Sequence, residues 1–523
     1  MYDILIKNGT IVDGSGKPGF LADVAIKDDK ISAIGELHDE KAQKIIDAEG
    51  RFVCPGFIDV NNHSDTFWRI FFDPDLESLV RQGITTIVGG SCGSSLAPLA
   101  TGQTIESIQK WTDLNKINVN WLTLKEFFSI LSQKKLAVNF SMLVGHATLR
   151  RGILKDEMRS PNPKELRFME RMLETAFRQG ALGISTGLVY THARMATKEE
   201  LMGIAKLVKK YKGVYATHIR NEADELVESI EDSIEIAKKT GVKMHISHLK
   251  AVGRSNWGKM ERVLGLISKA SQSGMNLSFD VYPYTNTGSV LYTLLPSWVS
   301  EGGKKMMLSR LKDKAVRAKV IEEMRDSKFE YDKVEIASSS MDKTLPHRSI
   351  TRIASSQGKT VEDAVIDILL ASEGRVITSM EVLNEDNIRA AIKHPLAIIA
   401  TNGAGYGITH FRTGEQIHPR SFGTYPKVLE KYVFKEKIIS LEEAIRKMTA
   451  APAEKFGIKK RGFIKKGFFA DILVFDESRI STLSTKDNPY HYAKGIDYSL
   501  VGGSLVMEKG EYTGKRNGEI VKR

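Results

Sequence analysis

The sequence predicts an α/β protein: a TIM-like (β/α)8 barrel with a small β-sandwich built from both chain ends and an insertion before the eighth strand. Three observations lead there. Eight short apolar runs alternate with amphipathic segments through the middle of the chain. Such alternation implies a parallel sheet, and a count of eight suggests a closed barrel. The two ends differ in style from this centre, being rich in alternating apolar and polar residues. Finally, Cys92, His218 and His248 each follow an apolar run, and the face where strands end is the catalytic face of such a barrel.

Taken in order, residues 1–55 hold the runs Asp3–Lys7, Asp23–Lys27 and Lys30–Ile34, separated by Gly and Asp turns. They read as a small antiparallel sheet, the first part of the sandwich. Residues 56–454 hold the barrel runs Phe57–Val60, Thr85–Val88, Val138–Val144, Leu182–Ser185, Val214–Thr217, Met244–Ser247, Leu277–Val281 and Ala397–Ala400. Most gaps fit a crossover helix, as at Ala223–Thr240. A doubly wound open sheet is the rival, but it places ligands at one switch point and needs fewer polar strand ends. The gap before the eighth run is long. In it Gly302–Asp326 reads as a highly charged helix and Ser338–Ile353 as irregular. Residues 286–350 are therefore expected as an insertion on the catalytic face, a lid or pocket wall. Residues 455–523 return to β style with Ala470–Phe475 and Tyr498–Met507, turning at Gly502-Gly503.

Composition narrows the function classes. A chain of 523 residues buries a large core and holds more than one structural unit. The net charge is +12, from 76 basic and 64 acidic residues. Lysines such as Lys206, Lys209, Lys210 and Lys212 are spread along helical segments without interleaved aromatics, so a solvated surface is expected and no nucleic acid. A positive field suits a small carboxylate-bearing substrate. Two cysteines, Cys54 and Cys92, imply a reducing, cytoplasmic compartment. No run reaches membrane-spanning length, the first residues lack the pattern of a signal peptide, and oligomeric state is left open.

One thiolate and two imidazoles form a zinc-type ligand set, and three protein ligands leave one position open. A single buried His or Cys is usually packing; three converging strand ends reverse that judgement. His245 stands three residues before His248. Residues three apart in a strand face opposite sides, so His245 is expected to point away from the barrel interior and to serve packing.

The strings VCPGFIDV, NNHSD, SCGSSLAP, STGLVY, THIRNE, HISHLK, DVYPY and HPRSFGTYPKVL resemble the N-acyl-D-amino-acid deacylases of the amidohydrolase superfamily. The likeness continues to GFFADILVFD and VGGSL. It implies a zinc-dependent hydrolase that cleaves the amide of N-acyl-D-amino acids or close relatives, on a barrel with a sandwich from both ends. It implies Cys92, His218 and His248 as principal zinc ligands with His63 beside them, and Arg420 as binder of the α-carboxylate. Tyr190, Lys250, Tyr282 and Ser289 match the rest of the substrate pocket. A guanidinium fork suits a carboxylate bidentately.

The chain departs from the family twice. Where the superfamily has His-x-His it reads Asn61-Asn62-His63, and where the family has a general-base Asp it reads Thr401-Asn402-Gly403. An amide cannot take up a proton at neutral pH. One tightly held zinc is therefore expected, without an equally tight second ion and with altered proton handling. Asp65, His63 and Glu222 are the substitutes for the base; Asp65 reads more simply as orienting His63 or capping the following turn, and Glu222 as a partner of His218 or Arg220. Two other readings stand beside the hydrolase. One is an impaired member that retains zinc and ligand binding. The other is a different amidohydrolase reaction such as cyclic-amide hydrolysis, against which ALGISTG lacks the lysine that such enzymes carboxylate.

Overall fold

The computed structural model describes the chain apart from residues 103, 106–118, 156, 158, 302, 328, 340, 341 and 343. Eight parallel strands form one sheet in chain order: Phe57–Asp59, Ile84–Gly89, Asn139–Gly145, Gly183–Gly187, Val214–His218, Lys243–Ile246, Leu277–Val281 and Ala397–Ile399. Each lies on one of the eight apolar runs. The last strand returns to the first: Asn62 bridges Gly403 in parallel, and His63 N donates to Gly403 O at 2.7 Å. The sheet is thus a barrel and not a doubly wound open sheet. Ile58, Val88, Leu143, Leu182, Ala216 and Ala400 fill its interior together with Phe456.

The crossover helices follow from amphipathic spacing. Leu226–Thr240 buries Leu226, Val227, Ile230, Ser233 and Ala237, one stripe at intervals of three and four. It ends at Gly241, whose φ of 65° is the left-handed terminus that glycine adopts without a Cβ clash.

Both chain ends build a nine-stranded sheet. Tyr2–Ile11, Phe20–Lys27, Lys30–Gly35, Ala42–Asp47 and Phe52–Pro55 join Ile472–Phe475, Ile496–Val501, Ser504–Glu508 and Glu511–Tyr512. The seam is antiparallel, with Cys54 opposite Leu473. The sheet is mixed, not antiparallel throughout: Tyr2–Ile11 runs parallel to Ala42–Asp47 and to Phe52–Pro55. The chain returns from the edge strand Lys30–Gly35 to that central strand instead of turning back in a hairpin.

Before the eighth barrel strand, Asn286–Val290, Val376–Glu381 and Val334–Ser339 form an antiparallel three-stranded sheet, with Val376–Glu381 in the middle. That central strand carries the inserted unit past residue 350 to Glu381. The unit has its own core, including Leu291, Val299, Leu311, Val320, Ile350 and Val376. The charged stretch is two helices, Gly303–Lys312 and Lys314–Asp326, because Asp313 caps the second by accepting from Ala315 N and Val316 N at 2.9 Å. Gly302, where the sequence reading began this helix, lies outside the described residues. Ser338–Ile353 is partly regular: it ends the strand Val334–Ser339 and opens the helix Ile350–Ser356, capped by Ser349. Ser289, Tyr292, Leu294, Met307 and Thr378 share one cavity with Cys92 and His248, so the insertion walls the barrel mouth. Among the described residues no helix is long and apolar enough to cross a membrane.

Candidate metal centre and its cavity

His218 ends the strand Val214–His218, while Cys92 and His248 lie just past Ile84–Gly89 and Lys243–Ile246. The structure brings these three together: their ligand atoms lie within 4.8 Å of one another and all are buried. Cys92 Sγ is 3.3 Å from His248 Nε2. Two ligands about 2.0–2.3 Å from a tetrahedral zinc stand ~3.5 Å apart, so the donor set and its spacing fit that ion. All three line the same cavity.

The backbone is bent to place them. Cys92 (φ 53°), His248 (φ 37°) and Asn402 (φ 47°) all adopt left-handed conformations. These cost a non-glycine residue about 1–3 kcal/mol and persist where the surroundings impose them. Gly90 permits the turn before Cys92, since a Cβ there would meet Leu143 O at 1.9 Å.

The turn at His248 corrects the reading of His245. His245 pairs with Ala216, a residue of the barrel interior, and its ring packs on Phe456 at 5.1 Å. It therefore faces inward. The alternation of a strand stops at Ile246 and no longer relates His245 to His248. His245 Nδ1 meets Ser278 Oγ at 2.8 Å and Nε2 meets Asp280 Oδ2 at 2.9 Å, and it is not among the three clustered ligands.

Glu222, four residues beyond the strand end at His218, links the two imidazoles. Its Oε1 lies 3.0 Å from His248 Nδ1 and bonds Lys250 Nζ, and its Oε2 is 3.7 Å from His218 Nε2. Burial raises its pKa, but Lys250, His218 and His248 outweigh burial and hold the carboxyl well below the usual range. Lys250 Nζ also lies 2.8 Å from His248 Nδ1. With Nδ1 protonated, that hydrogen goes to Glu222, and Lys250 donates to Glu222 and to His248 O at 3.1 Å. A carboxylate on the far nitrogen orients a ligating imidazole and raises its basicity. Arg220, the other partner considered for Glu222, instead donates to Arg194 O and Ala196 O at 2.6 Å.

The two departures from the family pattern are engaged by different partners. His63 Nε2 is 2.9 Å from Asn402 Oδ1 and 3.9 Å from Cys92 Sγ. Asn61 turns away, donating from Nδ2 to both oxygens of Asp280 at 3.3 and 3.2 Å. Asp65 Oδ2 accepts from Gly90 N at 2.7 Å, at the turn beyond the strand Ile84–Gly89.

Arg420 opens the helix Arg420–Lys427 and lines the cavity, its guanidinium 5.0 Å from the centre of the Tyr282 ring. Its Nε and Nη1 are buried and have no hydrogen-bond partner among the described residues. Tyr282 stands behind it, donating to Thr287 Oγ1 at 3.0 Å. Tyr190 and Ser289 line the cavity, and the Tyr190 ring lies 5.2 Å from that of His218. Burial, then the charge of Cys92, pushes the Tyr190 hydroxyl pKa well above its usual value, so it stays a phenol. Sequence reasoning missed Asp280 and His418. The strings DVYPY and HPRSFG contain both, but nothing in a string shows which side chains meet.

The amidohydrolase family matches residues 44–507. A D-aminoacylase of Alcaligenes xylosoxydans xylosoxydans is 31% identical over 522 residues, covering 100% of this chain and 98% of that protein. The solved structure of an N-acyl-D-glutamate deacylase from Bordetella bronchiseptica, complexed with zinc and a phosphonate mimic of the tetrahedral intermediate, has a TM-score of 0.84 at 29% identity and full coverage of both chains. A D-aminoacylase structure with a binuclear metal centre, described by one-metal activation and second-metal attenuation, has a TM-score of 0.84 at 30% identity, again covering 100% of each chain. With its ordered strand ends, its clustered thiol and imidazoles and a match over most of its length, this chain belongs to the amidohydrolase family.

Proposed function

We propose that this chain is a zinc-dependent hydrolase of N-acyl-D-amino acids or close relatives. One observation carries the reading: a single cavity holds both the Cys92–His218–His248 cluster and the buried Arg420 guanidinium, whose Nε and Nη1 lack partners among the described residues. A buried guanidinium without partners calls for an anion, and a carboxylate answers its fork bidentately. The cavity, ≈ 1980 Å³, exceeds the roughly 300–1,000 Å³ of ordinary ligand pockets and leaves room for acyl and amino-acid parts together.

When bound, zinc supplies Lewis acidity at the amide carbonyl and lowers the pKa of water. Arg420, backed by Tyr282, anchors the α-carboxylate. Ser289 offers a hydroxyl on the same wall, and Tyr190 keeps its hydrogen to donate. Glu222 and Lys250 hold the His248 ring. Asn402 Oδ1 can only accept, so it fixes the proton of His63 on Nε2. One tightly held ion fits this chain, because Asn61 is engaged by Asp280 and Asn402 offers an amide where a second ion would need a stronger ligand. A reducing, cytoplasmic setting fits the free, buried Cys54 and Cys92. The same two amides favour a second reading, a member that binds zinc and ligand with little turnover.

The test is metal analysis combined with acetate release over a panel of N-acetyl-D- and N-acetyl-L-amino acids. One zinc per chain and D-selective release are expected. Two equally tight zinc ions, or release from L-substrates alone, would sink the reading.

Two further results are expected. Burial and Lys250 lower the His248 pKa, but the charges of Cys92 and Glu222 outweigh them and push it up to about 10. The metal-free protein then holds a proton there at neutral pH, and zinc must displace it. Zinc affinity, measured by chelator competition, should rise with pH towards about 10; a flat profile would contradict a protonated His248. The insertion should act as a lid. Amides of Gly303–Lys312 and Lys314–Asp326 should exchange faster than those of the barrel strands and slow with N-acetyl-D-leucine, whereas equal, ligand-independent protection would reject a lid.

A further inference from the structure

We propose that His418 is a positioning residue that sets the Arg420 guanidinium by tying its backbone to the inserted sheet. The inference rests on the reading of Arg420 as the carboxylate anchor and adds the element that holds it in place.

His418 lies between two tyrosines. Its ring centre is 5.9 Å from that of Tyr282 and 5.5 Å from that of Tyr284, at interplanar angles of 70° and 89°. Both ring nitrogens are engaged. Nε2 lies 2.9 Å from Asn286 O, and Nδ1 accepts from Arg420 N at 3.1 Å. A carbonyl only accepts and an amide N–H only donates, so the imidazole carries its hydrogen on Nε2 and leaves Nδ1 bare. Burial, then the charge of Arg420, pushes the pKa of His418 well below its usual value, which agrees with that neutral tautomer.

The two bonds join parts of the chain that are distant in sequence. Asn286 begins the first strand of the insertion, Asn286–Val290. Arg420 is the first residue of its helix, where a backbone N–H has no partner within the helix. His418 supplies that partner. The Arg420 side chain therefore leaves a fixed backbone and comes to rest over the Tyr282 ring at 5.0 Å. Tyr282 closes the circuit by donating to Thr287 Oγ1 on the same inserted strand, two residues before Ser289. Asn286, His418, Arg420, Tyr282 and Thr287 thus form one loop of contacts. Through it the insertion helps decide where a substrate carboxylate sits relative to the metal centre.

The experiment measures D-leucine binding by calorimetry and N-acetyl-D-leucine kinetics on the zinc-loaded enzyme. The variants are His418→Phe, His418→Asn, Arg420→Ala and the Arg420→Ala/His418→Phe pair. His418→Phe keeps an aromatic ring between the tyrosines and removes both hydrogen bonds. It should weaken D-leucine binding and raise KM by about tenfold, with kcat changed by less than about threefold. His418→Asn places an acceptor near the Nδ1 position and should recover most of the loss. In the Arg420→Ala background His418→Phe should change neither quantity, because there is no guanidinium left to position. Equal losses with and without Arg420 would overturn the proposal and make His418 a packing residue. A KM that rises with Arg420→Ala but not with His418→Phe would overturn it while leaving the carboxylate anchor intact. If Arg420→Ala binds D-leucine as tightly as the parent enzyme, the anchor reading fails and the positioning role falls with it. Should His418→Phe not fold, His418→Asn and His418→Gln decide: Asn should preserve KM and Gln, which keeps only the donor towards Asn286, should not; the reverse order overturns the proposal.

Discussion

Cys92→Ala should yield protein without tightly held zinc and lower kcat/KM by about 10³-fold or more, the several kcal/mol that a Lewis acid contributes. The thiol is the one soft ligand of the cluster, and its Sγ lies against both His248 Nε2 and His63 Nε2, at 3.3 and 3.9 Å. Two imidazoles alone leave the ion short of the three protein ligands that a catalytic site keeps. The barrel should survive, since Cys92 is not among the apolar residues that fill its interior. Metal content by mass spectrometry and a thermal melt separate loss of the ion from loss of fold; unchanged zinc in a folded variant would reject the assignment. Cys92→Gly provides a control. It loses the same ligand but relieves the left-handed φ of 53°, so it should be more stable than Cys92→Ala by about 1 kcal/mol.

Asn402→Asp should raise kcat on N-acetyl-D-amino acids, by up to about 10²-fold if proton transfer limits turnover. The amide oxygen already meets His63 Nε2 at 2.9 Å, so a carboxylate in its place keeps that contact and adds a group able to accept a proton from the attacking water. The opposing effect is electrostatic, because a new negative charge beside the centre can ligate the ion and close the open position. Zinc stoichiometry measured beside the rate separates the two outcomes. Combining the change with Asn61→His tests whether the departures are coupled, since Asn61 would have to leave Asp280. An active parent enzyme that loses activity on Asn402→Asp would show that this chain uses another base. Asp65 already accepts from Gly90 N, and Glu222 is held ionised by Lys250, His218 and His248, a weak base for that task.

The sequence made the barrel legible because its strands are buried on both faces and read as short, mainly apolar runs separated by amphipathic segments. The meeting of one thiol and two imidazoles was legible for the same reason: Cys92, His218 and His248 stand where such runs stop. What failed was inference across a turn. Alternation holds only while the chain is extended: His245 faces the interior within its strand, and the left-handed turn at His248, past the strand end, lets His248 reach the cavity as well. The division of Gly302–Asp326 into two helices was equally local, marked by one capping aspartate within a run of charges. Contacts between distant segments were hidden altogether. Asp280 with Asn61, and His418 with Asn286, join residues whose meeting only the closed barrel and the inserted sheet produce.

The seam between the two chain ends bears on how the molecule comes into being. Phe52–Pro55 pairs with Ile472–Phe475, and Cys54 and Leu473, opposite each other, are about 420 residues apart in sequence. During synthesis the early strands therefore emerge long before their partner, with Val53 and Cys54, fully buried in the finished protein, still open to water. Pairings so remote in sequence are slow to form, and unpaired strand edges are prone to aggregate while they wait. The barrel shares this dependence on late-made residues, because Val521 packs among its interior side chains and Ile520 bridges Phe140 of the third strand, so the last residues made complete both the seam and the barrel.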